Sequence, residues 1–209
     1  MLICGTRSFA EEVADLVSEI PELELRGFVE NMDRARCERE LEGRPVHWVG
    51  DIGELAPSHS VVCALVTTER GRFTDQVEGM GFRAAAVVHP SARVAPSASV
   101  SEGAIVSAGV VTGAHARIGR HALLNRGVLV GHHTAIGAHA SILPGANVAG
   151  NCRVGERAFV GMGALVLDNI EVGADSVVAA GSVVTRDVPA RCKVMGVPAR
   201  MVDVSPSTR

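Results

Sequence analysis

Five histidines lie close together in the middle of the chain, and imidazole is the side chain best suited to proton transfer near neutral pH. They are His115, His121, His132, His133 and His139. His115 and His133 are 18 residues apart, as are His121 and His139, and these four occupy equivalent places in a six-residue repeat. Each pair is therefore expected to stack on the corner of a coil. The rings there would either bind a metal ion such as zinc or lie in solvent as ordinary polar residues.

The repeat runs through 17 consecutive hexads from Val88 to Pro189. The first place in each hexad is aliphatic apart from one threonine, and the fifth place is small or medium-sized. The first places are Val88, Val94, Val100, Val106, Thr112, Ile118, Leu124, Val130, Ile136, Ile142, Val148, Val154, Val160, Val166, Val172, Val178 and Val184. The fifth places are Ala92, Ala98, Ala104, Val110, Ala116, Ala122, Val128, Thr134, Ala140, Ala146, Cys152, Ala158, Ala164, Ile170, Ser176, Ser182 and Val188.

This pattern is typical of a parallel β-helix, whose narrow interior takes one aliphatic and one small residue per hexad. Three hexads make one coil, so residues 18 apart lie above one another at the strand spacing of about 4.8 Å. Glycine often follows the aliphatic place, as at Gly113, Gly131 and Gly155, where we expect it to supply the permissive dihedrals of a turn. The sequence therefore predicts a left-handed parallel β-helix over residues 88–190.

Residues 1–83 instead alternate between strand and helix patterns. A helix with Ser8 and Glu11 as a capping box would end before Pro21, and Thr67 or Thr68 would cap a second helix. The inner face of that second helix would be Phe73, Val77 and Met80. Apolar runs predict strands at Met1–Cys4, Leu25–Val29 and Val61–Val66. This alternation indicates a small Rossmann-like α/β domain with a parallel sheet.

The turn after the first strand reads Gly5-Thr6-Arg7-Ser8. It would lie at the carboxyl end of the sheet, where doubly wound proteins bind ligands, and the next helix N-terminus attracts phosphate. Only one glycine of a glycine-rich phosphate loop is present. The segment is therefore either a phosphate-binding turn aided by Arg7 or an ordinary tight turn with a solvated arginine.

Composition limits the possible partners. A net charge of −3 and a pI near 6.2 argue against nucleic acid, which requires a basic face. Five cysteines without CxxC spacing favour reduced thiols and a cytoplasmic location, with Cys152 in the core. We recognise no signal peptide and no apolar run that could cross a membrane, so no membrane association is expected.

Two motifs flank the repeats, Val88-His89-Pro90-Ser91-Ala92 before them and Gly196-Val197-Pro198-Ala199-Arg200 after them. Through these motifs, the hexads and the α/β segment, essentially the whole chain resembles the bacterial sugar O/N-acyltransferases. That family includes sialic-acid O-acetyltransferase-like proteins and enzymes that N-acetylate UDP-4-amino sugars or GDP-perosamine. The resemblance implies a homotrimer that binds acetyl-CoA between adjacent β-helices and a nucleotide sugar on residues 1–83, with 191–209 as a C-terminal tail. It also implies a role in surface polysaccharide or glycoconjugate assembly.

The stretch Asn125-Arg126-Gly127-Val128-Leu129-Val130-Gly131-His132 resembles the family segment that ends in the catalytic histidine. By resemblance, His132 is the general base that deprotonates a sugar amine or hydroxyl as it attacks the thioester directly, and backbone amides near Gly150 hold the oxyanion. The acceptor contacts implied are Gly5, Thr6, Arg7, Glu30, Asn31 and Asn125. The cofactor contacts implied are Ser141, Gly150, Ala180, Gly181, Lys193 and Arg200.

Three places depart from the family pattern. His133 follows the base where Asp or Glu is usual, and it is either a catalytic helper or a passive corner residue. Ser141 replaces a second family histidine, and Ser8-Phe9-Ala10 replaces a Gly-Gly-His-Gly-like run. Two other functions therefore stay open: an acyltransferase with a non-sugar acceptor, and a non-catalytic trimeric scaffold. A carbonic anhydrase of this fold is disfavoured because its paired metal histidines would fall near Gly145 and Gly150, so no metal is expected.

Overall fold

The computed structural model describes residues 1–202, so residues 203–209 of the expected tail lie outside the described part of the chain. The first 84 residues form one sheet with helices, which we call the N-terminal α/β unit. Its strands are β1 (Leu2–Cys4), β2 (Gly27–Glu30), β3 (Val46–Trp48), β4 (Ser60–Cys63) and β5 (Arg83–Ala84), and its helices are α1 (Ser8–Ser18) and α2 (Gly71–Glu78). Short 3₁₀ helices span Arg34–Glu38, Val49–Asp51, Gly53–Leu55 and Thr68–Arg70. All strand pairs are parallel, in the order β3-β2-β1-β4-β5.

The helix ends differ from the sequence prediction in one respect. The capping box predicted for α1 is wrong, because Arg7 is the N-cap residue and no side chain caps the helix there. At the second helix, the Thr67 hydroxyl accepts a hydrogen bond from the Glu69 amide and caps the 3₁₀ turn that leads into α2. Phe73 and Val77 are buried on the inner face of α2, as predicted. No helix within residues 1–202 is long and apolar enough to cross a membrane.

The hexads form strands that are mostly two residues long. They are β6 (Val87–Val88), β7 (Arg93–Val94), β8 (Ser99–Val100), β9 (Ile105–Val106), β10 (Val111–Thr112), β11 (Arg117–Ile118), β12 (Leu123–Leu124), β13 (Leu129–Val130), β14 (Ala135–Ile136), β15 (Ser141–Ile142), β16 (Asn147–Val148), β17 (Arg153–Val154), β18 (Phe159–Val160), β19 (Leu165–Val166), β20 (Glu171–Val172), β21 (Val177–Val178), β22 (Val183–Val184), β23 (Lys193–Gly196) and β24 (Ala199–Val202). Neighbouring coils pair residues 18 apart, for example Thr112 with Val130, which confirms the parallel β-helix. The last two strands form an antiparallel hairpin.

The three sheets of the β-helix present three different outer faces. The covered face (β6, β9, β12, β15, β18, β21, β23) packs Val87, Ile105 and Leu123 against the N-terminal α/β unit. The polar face (β8, β11, β14, β17, β20) carries exposed charged residues such as Arg117 and Arg153. The apolar face (β7, β10, β13, β16, β19, β22) exposes large aliphatic side chains to about 40% of their area, namely Val111 41%, Leu129 42% and Leu165 41%.

The interior of the β-helix confirms both inward places of the hexad, and Cys152 is fully buried among them. The reason for glycine after the aliphatic place, however, was predicted wrongly. Gly131 and Gly155 do not have a positive φ; a Cβ added to either would lie 2.4 Å from backbone atoms of the next coil. Close stacking of turns therefore requires these glycines. The left-handed backbone falls two residues later, for example at His133 (φ 58°) and Gly145 (φ 68°).

Arg70 joins the N-terminal α/β unit to the β-helix. Its side chain is 2% exposed and donates to the carbonyl oxygens of His121 (2.9 Å), His139 (2.9 Å) and Ala140 (2.8 Å). It also donates to the Ser141 hydroxyl at 2.8 Å. Burial lowers the pKa of Arg70 to about 10, so the guanidinium remains charged at neutral pH. This one side chain therefore fixes α2 against two coils.

Candidate active site

His132 lies in the turn between β13 on the apolar face and β14 on the polar face, with its ring exposed. One coil further on is Gly150, and a Cβ added there would lie 2.7 Å from both Cε1 and Nε2 of the His132 ring. The ring can adopt this position only because residue 150 has no side chain. The Gly150 amide N–H donates to no acceptor in the described residues, so it is free to bind a ligand oxygen. A base and a backbone donor are thus adjacent.

His133 is the immediate partner of His132. The two Nδ1 atoms are 3.2 Å apart and the rings are nearly perpendicular, at 82°. On the preceding coil, His115 packs against His133 with ring centroids 4.8 Å apart. The predicted stacking of these corner histidines is confirmed.

The second histidine pair belongs to the junction between the two parts of the chain. His121 and His139 stack with centroids 5.0 Å apart, as predicted, and His121 Nε2 lies 2.9 Å from a Glu78 carboxylate oxygen. The expectation of a solvent-facing corner is wrong for His121, which is 3% exposed because α2 covers it. Burial lowers the pKa of both rings. Within residues 1–202 no group of three or more potential ligands could hold a metal ion.

The acceptor residues predicted in the N-terminal α/β unit cluster at the carboxyl end of its sheet. Gly5 has φ +124°, and a Cβ there would lie 3.1 Å from the Ala64 carbonyl oxygen. Arg7 is exposed, and the Asn31 side chain donates to Gln76 at 3.4 Å. These residues follow β1 and β2 in the N-terminal α/β unit, whereas His132 belongs to the β-helix.

Glu30 is 7% exposed and organises the loop after β2. One carboxylate oxygen accepts from the Thr6 hydroxyl, and the other accepts from the amides of Asn31 (3.0 Å), Met32 (2.7 Å) and Asp33 (3.2 Å). Burial alone would raise the pKa of Glu30, but these four donors outweigh it and lower the pKa. The carboxylate is thus engaged within the protein.

A cleft of about 440 Å³ opens beside this loop. It is lined by Thr6, Asp33, Arg36, Arg39 and neighbouring residues, and Arg36 donates to the Thr6 carbonyl at 3.2 Å. Sequence reasoning missed the two arginines. Their signal was a group of three arginines, Arg34, Arg36 and Arg39, in the charged segment after the second strand, at the sheet edge where ligands bind.

Apart from Gly150, the predicted cofactor residues lie in three separate regions. The Ser141 side chain is fully buried, and its hydroxyl accepts from Arg70 and donates to the Val66 carbonyl at 2.9 Å. Ala180 and Gly181 form an exposed turn between the covered and apolar faces, where Gly181 has φ 66°. Lys193 and Arg200 lie on the final hairpin, with Arg200 lining a cleft of about 230 Å³.

Asn125 occupies the same edge of the apolar face as Gly181, in the turn before β13. It is 3% exposed, and its side-chain oxygen accepts from the Arg126 amide at 2.7 Å. Arg126 in turn forms a 2.7 Å ion pair with Glu12 of α1. Within one chain, therefore, His132, His133 and Gly150 come together on one edge of the apolar face, and Asn125, Ala180 and Gly181 lie on the other.

Comparisons with known proteins agree with this architecture. A family model described as bacterial transferase hexapeptide (six repeats) matches residues 151–186, which together with the three parallel sheets fits the left-handed form of the β-helix. No curated protein matches the chain. A variant of perosamine N-acetyltransferase from Caulobacter crescentus, solved with CoA and GDP-perosamine, is 32% identical over 97% of this chain and 96% of that chain, with a TM-score of 0.91.

Two further solved structures are similar over nearly their full length. The acetyltransferase domain of PglB from Neisseria gonorrhoeae, in complex with acetyl coenzyme A, is 27% identical over 96% of this chain and 98% of that chain, with a TM-score of 0.89. WeeI from Acinetobacter baumannii is 26% identical over the same shares, 96% and 98%, with a TM-score of 0.88. With 32% identity to the first enzyme over almost the whole of both chains, this protein belongs to the bacterial sugar O/N-acyltransferases, a family of hexapeptide-repeat acyltransferases.

Proposed function

We propose that the protein transfers an acetyl group from acetyl-CoA to an amino or hydroxyl group of a nucleotide-linked sugar. The observation that carries this proposal is the His132 ring packed against Gly150, next to a free backbone amide. The similar enzymes support the choice of ligands, since one was solved with CoA and GDP-perosamine and another with acetyl coenzyme A.

The reaction is a direct displacement in a ternary complex. As the acceptor nitrogen or oxygen attacks the thioester carbonyl carbon, His132 takes its proton. The carbonyl oxygen becomes an oxyanion, and the Gly150 amide N–H stabilises it. The C–S bond then breaks, and CoA leaves as the thiol. No side chain needs to carry the acetyl group.

A homotrimer is proposed from the apolar face. Val111, Leu129 and Leu165 are exposed aliphatic side chains on one face, interrupted by Asn147 between Leu129 and Leu165, and exposed apolar patches mark interfaces. In a cyclic assembly each copy meets its neighbours through two different edges of one face. The His132 edge of one copy would then lie beside the Asn125 and Gly181 edge of the next, and the two edges would form one cleft.

The acetyl-CoA channel is proposed to run along this cleft. Ala180 and Gly181 are small and exposed, which lets their backbone approach the pantetheine arm. Lys193 and Arg200, near the end of the channel, would contact the CoA phosphates. The buried Ser141 side chain would support the site indirectly, through Arg70.

The nucleotide is proposed to bind the N-terminal α/β unit, which we interpret as a Rossmann-like domain. Its strand order, β3-β2-β1-β4-β5, is the order found in dinucleotide-binding folds, where ligands lie at the carboxyl ends of the strands. Gly5, Thr6, Arg7 and Asn31 lie at that edge, with Arg36 and Arg39 in the adjoining cleft as further phosphate contacts. We also propose a cytoplasmic location, because all five cysteines are free thiols.

Acetyl transfer to a panel of acceptors tests the function. Purified protein is incubated with acetyl-CoA and UDP-, GDP- or dTDP-linked amino sugars, free amino sugars and simple amines, and CoA thiol release and acetylated product are measured. We expect transfer to at least one nucleotide-linked sugar at a rate well above that with the free sugar. Faster transfer to a non-sugar amine would contradict the nucleotide-sugar acceptor and favour an acyltransferase with a non-sugar acceptor. Absence of CoA binding by calorimetry would instead favour a trimeric scaffold.

A further inference from the structure

Three imidazoles meet at the corner between the apolar and polar faces, and only one of them is needed as the base. His132 and His133 face each other through Nδ1 atoms 3.2 Å apart, and His115 packs on the His133 ring at 4.8 Å. His115 and His133 share the left-handed backbone, with φ 59° and 58°. Their positions are fixed by the coil, because the His133 amide donates to the Ala114 carbonyl at 2.8 Å and the His115 amide donates to the Ser97 hydroxyl at 3.1 Å.

The contact between the two Nδ1 atoms restricts the tautomers of both rings. At 3.2 Å one nitrogen must donate and the other must accept, so a single hydrogen lies between them. If His132 donates, its Nε2 has a free lone pair on the side that faces Gly150. If His133 donates, His132 Nε2 carries a hydrogen and cannot act as a base. Only the first arrangement fits the proposed reaction, on which this inference rests.

The same contact gives the abstracted proton a route out. When His132 gains a proton on Nε2, its Nδ1 hydrogen is already directed at the His133 Nδ1 lone pair. Transfer of that hydrogen returns His132 to a neutral ring, and His133, protonated on both nitrogens, then releases its Nε2 hydrogen to solvent. A carboxylate in place of His133 would stabilise the protonated His132 ring by its negative charge. A neutral imidazole can instead accept a proton on one nitrogen and release a proton from the other.

Within residues 1–202, no acidic side chain forms a hydrogen bond with His115, His132 or His133. Residues 18 apart form columns along the β-helix. The column of His132 contains Pro96, Ala114 and Gly150, and the column of His133 contains Ser97, Asn151 and Asn169. None of these six residues is charged. The nearest acidic group in those columns, Asp168, lies two coils beyond His132 and accepts from Asn169 at 2.6 Å. On the polar face, the cationic Arg117 and Arg153 flank Ala135, which follows the His132 turn. His133 therefore has no carboxylate partner among the described residues that would hold the relayed proton in place.

We infer that His133 is a proton relay between His132 and solvent, and that His115 is a positioning residue that holds the His133 ring. In the full step, the acceptor N–H or O–H proton moves to His132 Nε2 as the acceptor bonds to the acetyl carbon. The His132 Nδ1 proton moves to His133 Nδ1, and the His133 Nε2 proton goes to solvent. The CoA sulfur leaves with the electron pair of the C–S bond and takes the Nε2 proton of His132. His133 then takes a proton from solvent on Nε2 and returns its Nδ1 hydrogen to His132 Nδ1. One proton is thus released and one is taken up, and the starting tautomers of both rings are restored.

His133→Asn separates relay from positioning. Asparagine already occupies this corner at Asn151 and Asn169 with positive φ, so the backbone tolerates it, and its side-chain oxygen can accept from His132 Nδ1. It cannot carry a proton. We expect kcat to fall about 10-fold or more, with partial recovery when imidazole is added to the buffer. A kcat within twofold of the parent, or a loss that added imidazole does not relieve, overturns the relay.

His115→Asn tests the positioning role. Alone it is expected to lower kcat several-fold while leaving KM for acetyl-CoA unchanged. In the His133→Asn background it should have no further effect, because the ring it positions is gone. An equal loss in both backgrounds would show that His115 acts through general stability and would overturn its assigned role.

A readout independent of turnover keeps this inference separate from the proposed function. Nitrogen-15 NMR of histidine-labelled protein reports which ring nitrogen carries hydrogen. We expect His132 with hydrogen on Nδ1 and His133 with hydrogen on Nε2 near neutral pH. The reverse pattern overturns the relay even in an active enzyme. The expected pattern in a protein that acetylates no acceptor would leave the imidazole pair intact and refute the function alone.

Discussion

The orientation of the His132 ring depends on two neighbours, Gly150 and His133. Gly150 leaves room for the Cε1 and Nε2 edge, and His133 holds Nδ1. Neither contact buries the ring, so the imidazole keeps access to a substrate while its direction is set. Around the His132 ring, the addition of a single methyl group should therefore alter activity far more than stability.

Gly150→Ala should reduce kcat/KM about 10-fold or more, because the new methyl group would lie 2.7 Å from His132 Cε1 and Nε2 and turn the ring away. Gly150 does not have a positive φ, so the folded backbone accepts alanine. Gly53→Ala is a matched control, since a Cβ there meets nothing within 4 Å. Steady-state kinetics and thermal unfolding of both variants check the prediction. Normal activity in Gly150→Ala would contradict the assigned ring position.

Glu30→Gln should cost about 1–3 kcal/mol in the free energy of unfolding and raise KM for the acceptor, because the loop after β2 loses charge-assisted hydrogen bonds. The pKa of Glu30 is lowered in the folded state, so its stabilisation is present above the usual value of 4.5 and is lost as the pH falls through the lowered pKa. Urea titrations at neutral and acidic pH measure the effect. Thr6→Val should show part of the same loss of stability. A Glu30→Gln variant with unchanged stability and unchanged KM would contradict the role of Glu30 in organising the loop.

Sequence reasoning at the residue scale worked where residues close in the repeat also meet in space. His132, His133 and Gly150 come together because residues 1 and 18 apart are neighbours in a β-helix. Glu30 was predicted as an acceptor contact, but its bond to Thr6 joins residues 24 apart in a unit without a fixed period. The Arg36 and Arg39 cleft depends on how the chain returns between β2 and β3, which composition does not specify.

At the scale of elements, the attachment of α2 to the β-helix depends on Arg70 and on the His121–His139 stack. Arg70 donates to acceptors from two coils, and Glu78 at the end of α2 contacts His121. Both features bury polar groups, so both make the junction sensitive to substitution. The sequence did not indicate them because the hexad pattern describes the inside of the β-helix and not what covers it.

Arg70→Met should lower the free energy of unfolding by about 3 kcal/mol or more, because several buried carbonyl oxygens lose their donor at once. Arg72→Met is the control: that side chain is 90% exposed, so a change within about 0.5 kcal/mol is expected. Chemical denaturation of both variants gives the comparison. Equal stability of the two would show that the Arg70 contacts do not hold the junction.

The His121–His139 stack predicts an acid-sensitive junction. Burial lowers the pKa of both rings in the folded state, so below the usual value of 6.5 the unfolded chain binds protons more readily. The free energy of unfolding should therefore fall as the pH drops from about 6.5 towards the lowered pKa values. His139→Asn should reduce this slope. Denaturation curves across this range measure it, and a slope equal to the parent's would contradict the assignment.

The elements themselves were predicted unevenly. The β-helix strands followed from the hexads because one fixed geometry imposes the same period on 17 repeats. Strands β3 and β5 have no apolar run comparable to β1 or β4, and their pairing depends on the sheet already being formed. The predicted role of the glycines was wrong because the limiting contact, with the next coil, is not a local property.

At the scale of the whole molecule, the three outer faces of the β-helix have different partners. The covered face packs against the N-terminal α/β unit, the polar face is exposed to solvent, and the apolar face is proposed to contact other copies of the chain. Since the His132 edge and the Gly181 edge bound that same face, assembly and catalysis should be lost together.

Leu165→Glu should dissociate the proposed trimer and abolish most acetyl transfer, because it places a charge on the apolar face. Residue 165 lies two coils from Leu129, so the His132 turn itself is not altered. Arg153→Glu on the polar face is the control and should leave the assembly intact. Sedimentation velocity with parallel activity assays tests this. A fully active monomer would contradict the shared site.

The proposed function depends on His132 removing the acceptor proton during direct acetyl transfer. The most direct measurement is the single-turnover rate of acetyl transfer by His132→Gln with saturating acetyl-CoA and nucleotide sugar, together with its CoA affinity and sedimentation coefficient. We expect a rate lower by about 10²–10⁴-fold, with affinity and assembly unchanged. A rate within a few-fold of the parent would contradict it.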